Sequence, residues 1–166
     1  KKFGPPVYVK HQIVHNHYVV NSLERKGAIT VESVEDIPCG STVIFSAHGS
    51  PPEDFHAARA RNLNIIDATC PLVTRVHNEA LKYSREGKKI LLVGHNGHPE
   101  VRGTMGQTPM TLIDRQEYEM IPEFSDDSEI VVLTQTTLSV GDTARSVEEI
   151  RDLYSNVLVR NDICYA

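Results

Sequence analysis

The short apolar, β-branched runs of this chain nearly all end in polar side chains that can do chemistry. Val7–Val9 runs into Lys10, His11 and His15, and Val43–Phe45 into Ser46 and His48. Ile65–Ile66 leads to Asp67, Thr69 and Cys70, and Ile90–Val93 to His95, His98 and Glu100. Ile130–Leu133 leads to Thr134, Gln135 and Thr136, and Val157–Val159 to Asp162 and Cys164. Between these runs the apolar spacing changes to a helical period. Such alternation marks βαβ units, which bury a parallel sheet between helices. Open parallel sheets bind ligands in the crevice beyond the carboxyl ends of their strands. The pattern therefore predicts one polar site, where imidazoles, an acid and thiols from scattered segments converge.

Helix signals fit the same scheme. Asn16 can cap a helix with apolar positions Val19, Val20 and Leu23, stopped by Gly27. A second helix follows Pro51-Pro52 through Phe55 and Ala58. The strongest opens at Pro71, shows Leu72, Val73, Val76, Ala80 and Tyr83, and ends at Gly87, the expected Pro-first, Gly-last asymmetry. Ser139-Val-Gly-Asp142 is a near capping box ahead of Ala144, Val147, Ile150 and Tyr154. The order predicts an α/β chain of two similar units, residues 1–70 and 71–160, each a mostly parallel sheet flanked by helices. Pro122–Ser128 reads as a loop.

A chain of 166 residues can bury a real core. Its net charge of -5 argues against a nucleic-acid surface, and no apolar run approaches the roughly 20 residues of a membrane helix. Three cysteines, Cys39, Cys70 and Cys164, are few, odd and far apart, which suits a reducing compartment better than a disulfide framework. The chain starts at Lys1 and stops just after a cysteine, so a fragment of a longer polypeptide is expected.

Each candidate residue has a bland alternative. Cys70 sits where a strand gives way to a helix, and a helix N-terminus favours the thiolate that binds metal or attacks electrophiles; a buried structural thiol is the alternative. Cys164 follows a strand signal and could converge on the same place, or be structural. Cys39 lies in a turn before a strand, at the wrong end. His95-Asn-Gly-His98-Pro-Glu100 is the densest cluster. It could hold zinc and support a hydrolase, clamp an anion beside a proton donor, serve a non-catalytic phosphate-binding module, or be an ordinary polar loop. His48 and His15 follow strands. His11 and His17 could be solvated, and His56 and His77 fall within helices. The hydroxyls of Thr134–Ser139 could contact an anion or only cap a helix. Neither a G-x-G-x-x-G nor a Walker loop is present.

Taken together, seven blocks resemble one family. They are His11-Gln-Ile-Val-His15-Asn16, Phe45-Ser-Ala-His48-Gly49, Asp67-Ala-Thr-Cys70-Pro71, Gly94-His-Asn-Gly-His98-Pro-Glu100, Gly103-Thr-Met-Gly106-Gln, Thr134-Gln-Thr-Thr-Leu-Ser139 and Asp162-Ile-Cys164-Tyr165. The family is 4-hydroxy-3-methylbut-2-enyl diphosphate reductase, which closes the methylerythritol phosphate route to isoprenoids. The resemblance implies three α/β units around an iron–sulfur cluster, expected to be 4Fe–4S, held by three cysteines. Cys70 and Cys164 match two of these; the third matches nothing in this chain, and Cys39 stands at no matching motif. His15, His48 and His98 match substrate-binding histidines. Glu100 matches the acid that supplies protons, with His98 beside it, and Thr136 the threonine in its hydrogen-bond network.

The resemblance further implies a small allylic diphosphate substrate and an electron donor such as ferredoxin or flavodoxin. The expected compartment is the bacterial cytoplasm or the plastid stroma. Residues 161–166 would open a third unit that is otherwise missing, so the isolated piece is expected to be inactive.

Overall fold

The computed structural model describes residues 4–14, 16–114, 121–125 and 127–160. In chain order it holds β1 (Val7–Lys10), α1 (His17–Glu24), β2 (Ala28–Val31), a short 3-10 turn (Val34–Asp36), β3 (Thr42–Phe45), α2 (Pro52–Ala60) and β4 (Asn64–Asp67). Then follow α3 (Pro71–Arg85), β5 (Lys89–Val93), α4 (Pro99–Met105), β6 (Thr111–Ile113), β7 (Ile130–Thr134), α5 (Val140–Leu153) and β8 (Val157–Val159). The chain divides into two compact units, Lys1–Cys70 and Pro71–Ala166.

Each unit is built on a four-stranded parallel sheet, ordered β2-β1-β3-β4 in the first and β6-β5-β7-β8 in the second. In both, the strand that comes first in the chain lies second in the sheet, its successor lies on one side of it and the next strand on the other. That reversal opens a crevice between the carboxyl ends of β1 and β3, and likewise of β5 and β7. Lys10 pairs with Phe45 across the first switch and Val93 with Thr134 across the second. The strands outrun their apolar cores by a residue, so Lys10, Asp67 and Thr134 still belong to the ladders.

The helix signals act as local chemistry requires. The Asn16 side chain accepts from the Tyr18 and Val19 N–H groups, two of the orphan donors of a helix start. Ser139 and Asp142 form a reciprocal capping box at α5. Along α3, Val73, Val76, Ala80 and Tyr83 are buried, an i, i+3, i+7, i+10 stripe on one face. Two expected apolar contacts do not form. Ala144 is exposed, and the inward stripe of α5 is Thr143, Ser146, Val147 and Ile150. Thr143 tolerates burial because its hydroxyl donates to the Ser139 and Val140 carbonyls of the preceding turn. Val19 is exposed as well, leaving Val20 as the buried residue of α1.

In the second unit both sheet faces are filled. Val76, Ala80, Tyr83 and Val101 of α3 and α4 pack on Ile90, Leu92, Val131 and Leu133. On the opposite face Val147 and Ile150 of α5 and Leu138 pack on Leu91, Val93, Ile113, Ile130 and Val132. In the first unit Ala58, Leu63, Val34 and Ile37 cover Val43 and Phe45 on one face. Its other face, with Val7, Val9, Ile44, Ile13 and Leu23, lines an apolar cavity of about 720 Å³.

Candidate functional site

At the switch point of the second unit, β5 runs into a loop that turns beneath α4. Gly94 makes the first bend possible: a Cβ there would lie 2.6 Å from Val101 Cγ2 and 3.3 Å from Gln135 Oε1, so only glycine fits. The His95 N–H donates to Gln135 Oε1 at 3.0 Å, and Gln135 Nε2 donates to Thr137 Oγ1 at 2.7 Å. The Gln135 side chain, 3% exposed, thereby braces the loop after β5 against the loop after β7. The Asn96 N–H donates to Asp114 Oδ2 at 2.5 Å, which ties the same loop to the end of β6.

His98 caps α4, its Nδ1 accepting from the Glu100 N–H at 3.2 Å. Glu100 stands one residue beyond Pro99 and is 2% exposed. Its Oε1 accepts from the Thr136 N–H at 2.6 Å. Burial pushes the Glu100 carboxyl above the usual carboxylate range, partly opposed by hydrogen bonds from the Thr136 backbone and side chain. Three expected residues, His98, Glu100 and Thr136, are thus brought together by a switch point that joins segments 36 residues apart.

At the switch point of the first unit, Ser46 and His48 are both buried, and Ser46 Oγ lies 3.2 Å from His48 Nδ1. Their turn is stitched on two sides, by Ala47 N–H to the Ile13 carbonyl at 3.2 Å and by Cys70 N–H to the Ala47 carbonyl at 3.0 Å. Cys70, a half-buried free thiol, is thereby anchored next to His48. Cys39 is exposed in the turn before β3, at the far end of that strand.

His15 and Cys164 lie outside the described residues. His11 is not solvated: it is 8% exposed, turns in the left-handed region at φ 58°, and sets Nδ1 2.8 Å from Glu32 Oε2. The zinc arrangement of His95, His98 and Glu100 does not form. His95 faces Asp114 at 3.7 Å, while His98 Nδ1 and Glu100 Oε1 accept the bonds above. Among the described residues no group of three His, Cys, Asp or Glu side chains is placed to hold a metal ion.

Sequence reasoning did not assign Asp114, Ser46 or the Lys10–Asp54 ion pair any part in positioning. Asp114 directly follows β6, as other candidates follow their strands, and that placement is the available signal. The pairing of Lys10 with Asp54 has no local signature.

Comparison with known proteins gives one family. The model for the LytB protein family matches residues 1–166. A 4-hydroxy-3-methylbut-2-enyl diphosphate reductase from Rhodopirellula baltica is 47% identical over 171 residues, covering 100% of this chain and 53% of that protein. The one from Mycobacterium leprae is 49% identical over 170 residues, covering 100% and 51%. Among solved structures, the E-1-hydroxy-2-methyl-but-2-enyl-4-diphosphate reductase from Plasmodium falciparum has a TM-score of 0.90 and 37% identity over 99% of this chain and 53% of that one. A second, described as (E)-4-hydroxy-3-methyl-but-2-enyl diphosphate reductase, the terminal enzyme of the non-mevalonate pathway, has a TM-score of 0.77 and 34% identity, covering 96% and 58%. The chain spans about half the length of the curated relatives it matches.

Proposed function

This chain belongs to the LytB family, and from that premise we propose that it provides part of a reductase acting on (E)-4-hydroxy-3-methylbut-2-enyl diphosphate. The reaction removes the allylic hydroxyl as water and yields isopentenyl and dimethylallyl diphosphate. The observation that carries this reading is the seat of Glu100, buried at a switch point with its proton affinity raised.

Loss of the hydroxyl as water needs a proton delivered to its oxygen. An ordinary glutamic acid is almost wholly ionised at neutral pH. One desolvated as Glu100 is keeps its proton to higher pH, as a general acid requires. The Thr136 N–H bonds Oε1 and the Thr136 side chain also bonds the carboxyl, which holds it in place to release its proton. His15, His48 and His98 take the diphosphate. Charge-assisted hydrogen bonds are worth roughly 1.5–3 kcal/mol each, so a few donors suffice in a protein of net charge -5.

The donor chemistry of Cys70, a half-buried thiol at the carboxyl edge of a sheet and tied to the His48 turn, fits one thiolate ligand of an iron–sulfur cluster. Cys164 and a third cysteine from outside this chain complete the set. When bound, a 4Fe–4S cluster supplies electrons singly and acts as a Lewis acid toward the leaving oxygen. A ferredoxin or flavodoxin is the proposed electron donor, in a bacterial cytoplasm or plastid stroma.

In the complete reductase carrying this sequence, Glu100→Gln should lower kcat by about 100-fold or more with KM nearly kept. Unchanged turnover would refute the assignment. The 166-residue chain alone, given iron and sulfide without oxygen, should form no stable cluster and show no turnover; an active, stable cluster would overturn the view of it as a part.

A further inference from the structure

Past Val93 the neighbours of β5 diverge, yet its hydrogen-bond ladder does not stop there. On the function proposed above, we infer that Gln135 and Asp114 are positioning residues: their side chains prolong the sheet into the loop after β5 and so hold Glu100 against Thr136.

In a central parallel strand the N–H groups turn alternately to the neighbour on either side. That alternation continues for three residues beyond Val93, the last register pair with both neighbours. The Gly94 N–H donates to the Ile113 carbonyl at 3.2 Å, on the β6 side. The His95 N–H donates to Gln135 Oε1 at 3.0 Å, on the β7 side. The Asn96 N–H returns to the β6 side and donates to Asp114 Oδ2 at 2.5 Å. The first acceptor is a main-chain carbonyl; the next two are side chains standing in for one.

Both acceptors are themselves fixed. Gln135 is 3% exposed and Asp114 4%. The Gln135 N–H donates to the Val93 carbonyl at 2.9 Å, so one residue grips β5 and its loop at two points, by main chain and by side chain. A backbone N–H only donates, so the amide oxygen must face His95, and the amide nitrogen donates to Thr137 Oγ1 at 2.7 Å. Removing either acceptor leaves a loop donor unmet.

From these anchors to the acid is a single turn. The His98 N–H donates to the His95 carbonyl at 3.1 Å, with Gly97 in the left-handed region at φ 77°. Pro99 then opens α4, and Glu100 is its second residue. Thr136 directly follows Gln135, so Gln135 governs both ends of the bond from the Thr136 N–H to Glu100 Oε1. A shift of about 1 Å at a reacting group can cost about 100-fold in rate, which is the scale on which this bracing acts.

The test is a mutant cycle in the complete reductase carrying this sequence. Gln135→Met keeps the volume but removes both side-chain bonds. It should lower kcat about 30-fold alone, yet less than about threefold in Glu100→Gln, where the acid it positions is gone. Asp114→Ala should lower kcat about tenfold, and Asp114→Asn, which keeps an oxygen acceptor, should recover most of that loss. Gln135→Met should also speed amide exchange over residues 94–100 and 136–138 about tenfold, with β5 and β7 unmoved. Unchanged kcat in Gln135→Met and Asp114→Ala, equal losses with and without Glu100, or unchanged exchange would overturn the inference. Should Gln135→Met not fold, the contrast between Asp114→Ala and Asp114→Asn decides it, since loss in both or in neither would overturn it. Full kcat in Glu100→Gln would refute the proposed function instead, while the exchange result still decides whether these side chains hold the loop.

Discussion

Both units set their candidate residues where neighbouring strands diverge, but they fill the faces of their sheets differently. In the second unit β7 is buried along its whole length between helices on two sides. In the first, one face is packed and the other borders an apolar cavity of about 720 Å³. The site therefore depends on strand order, which both units share, and not on complete coverage of the sheet. Packing governs something else: how strongly a buried group such as Glu100 is kept from water.

The sharpest way to break this comparison is to empty each sheet face by one side chain. Ile150→Ala, at a fully buried site on α5, should cost about 4 kcal/mol in urea unfolding. Val9→Ala, beside the existing cavity, should cost about 1 kcal/mol, since fewer contacts surround the deleted methyls. Equal losses per deleted carbon would mean the two faces are packed alike.

Ion pairs give the next contrast, because each unit pins a strand end to a helix. Lys10 meets Asp54 with side chains 4% and 20% exposed. Arg160 forks onto Glu79 at 2.5 and 3.1 Å with side chains 32% and 13% exposed. Asp54→Ala strands a buried ammonium and should cost roughly 3–5 kcal/mol. Arg160→Ala should cost about 2 kcal/mol, because the freed Glu79 can reach water or Arg75. The same urea transitions report both, and a reversed order would show that burial does not rank these pairs.

Removing the helix caps should cost less. Asn16→Ala and Ser139→Ala should each lose about 1 kcal/mol, with Ser139 the larger because its box with Asp142 is reciprocal. Amide exchange at the starts of α1 and α5 reads these losses separately.

The finest test is a slope with pH. The Glu100 pKa is raised in the folded chain, so its protonated form is the one folding favours. That contribution is fully present below the ordinary glutamate value and is lost as pH rises through the raised one. Thermal melts should show the second unit losing stability over that window, and Glu100→Gln should flatten the fall. A variant with the wild-type slope would place the pH dependence elsewhere.

Much of the architecture was legible because its causes are local. Pro71 opens and Gly87 follows α3, Asn16 caps α1, and the apolar runs become parallel strands in the expected order. The family motifs mark His48, Cys70, His98, Glu100 and Thr136 as candidates without reference to any contact. Ala144 looked apolar enough to face inward and Val19 likewise, but a helix presents its stripe by angle, and Thr143 can bury its hydroxyl by bonding the turn behind it. His11 gave no hint of its left-handed backbone or of Glu32, which lies 21 positions on.

By itself, then, the amino-acid order determined the alternation of strands and helices, the caps, and which residue types stand at strand ends, since these follow from neighbouring sterics and hydrogen bonds. Only the tertiary structure decided that Glu100 would lose its water, that Thr136 would bond its carboxylate and that Ser46 would face the His48 ring. Proton affinity and orientation depend on which atoms replace solvent around a group, and many of those atoms come from distant parts of the chain.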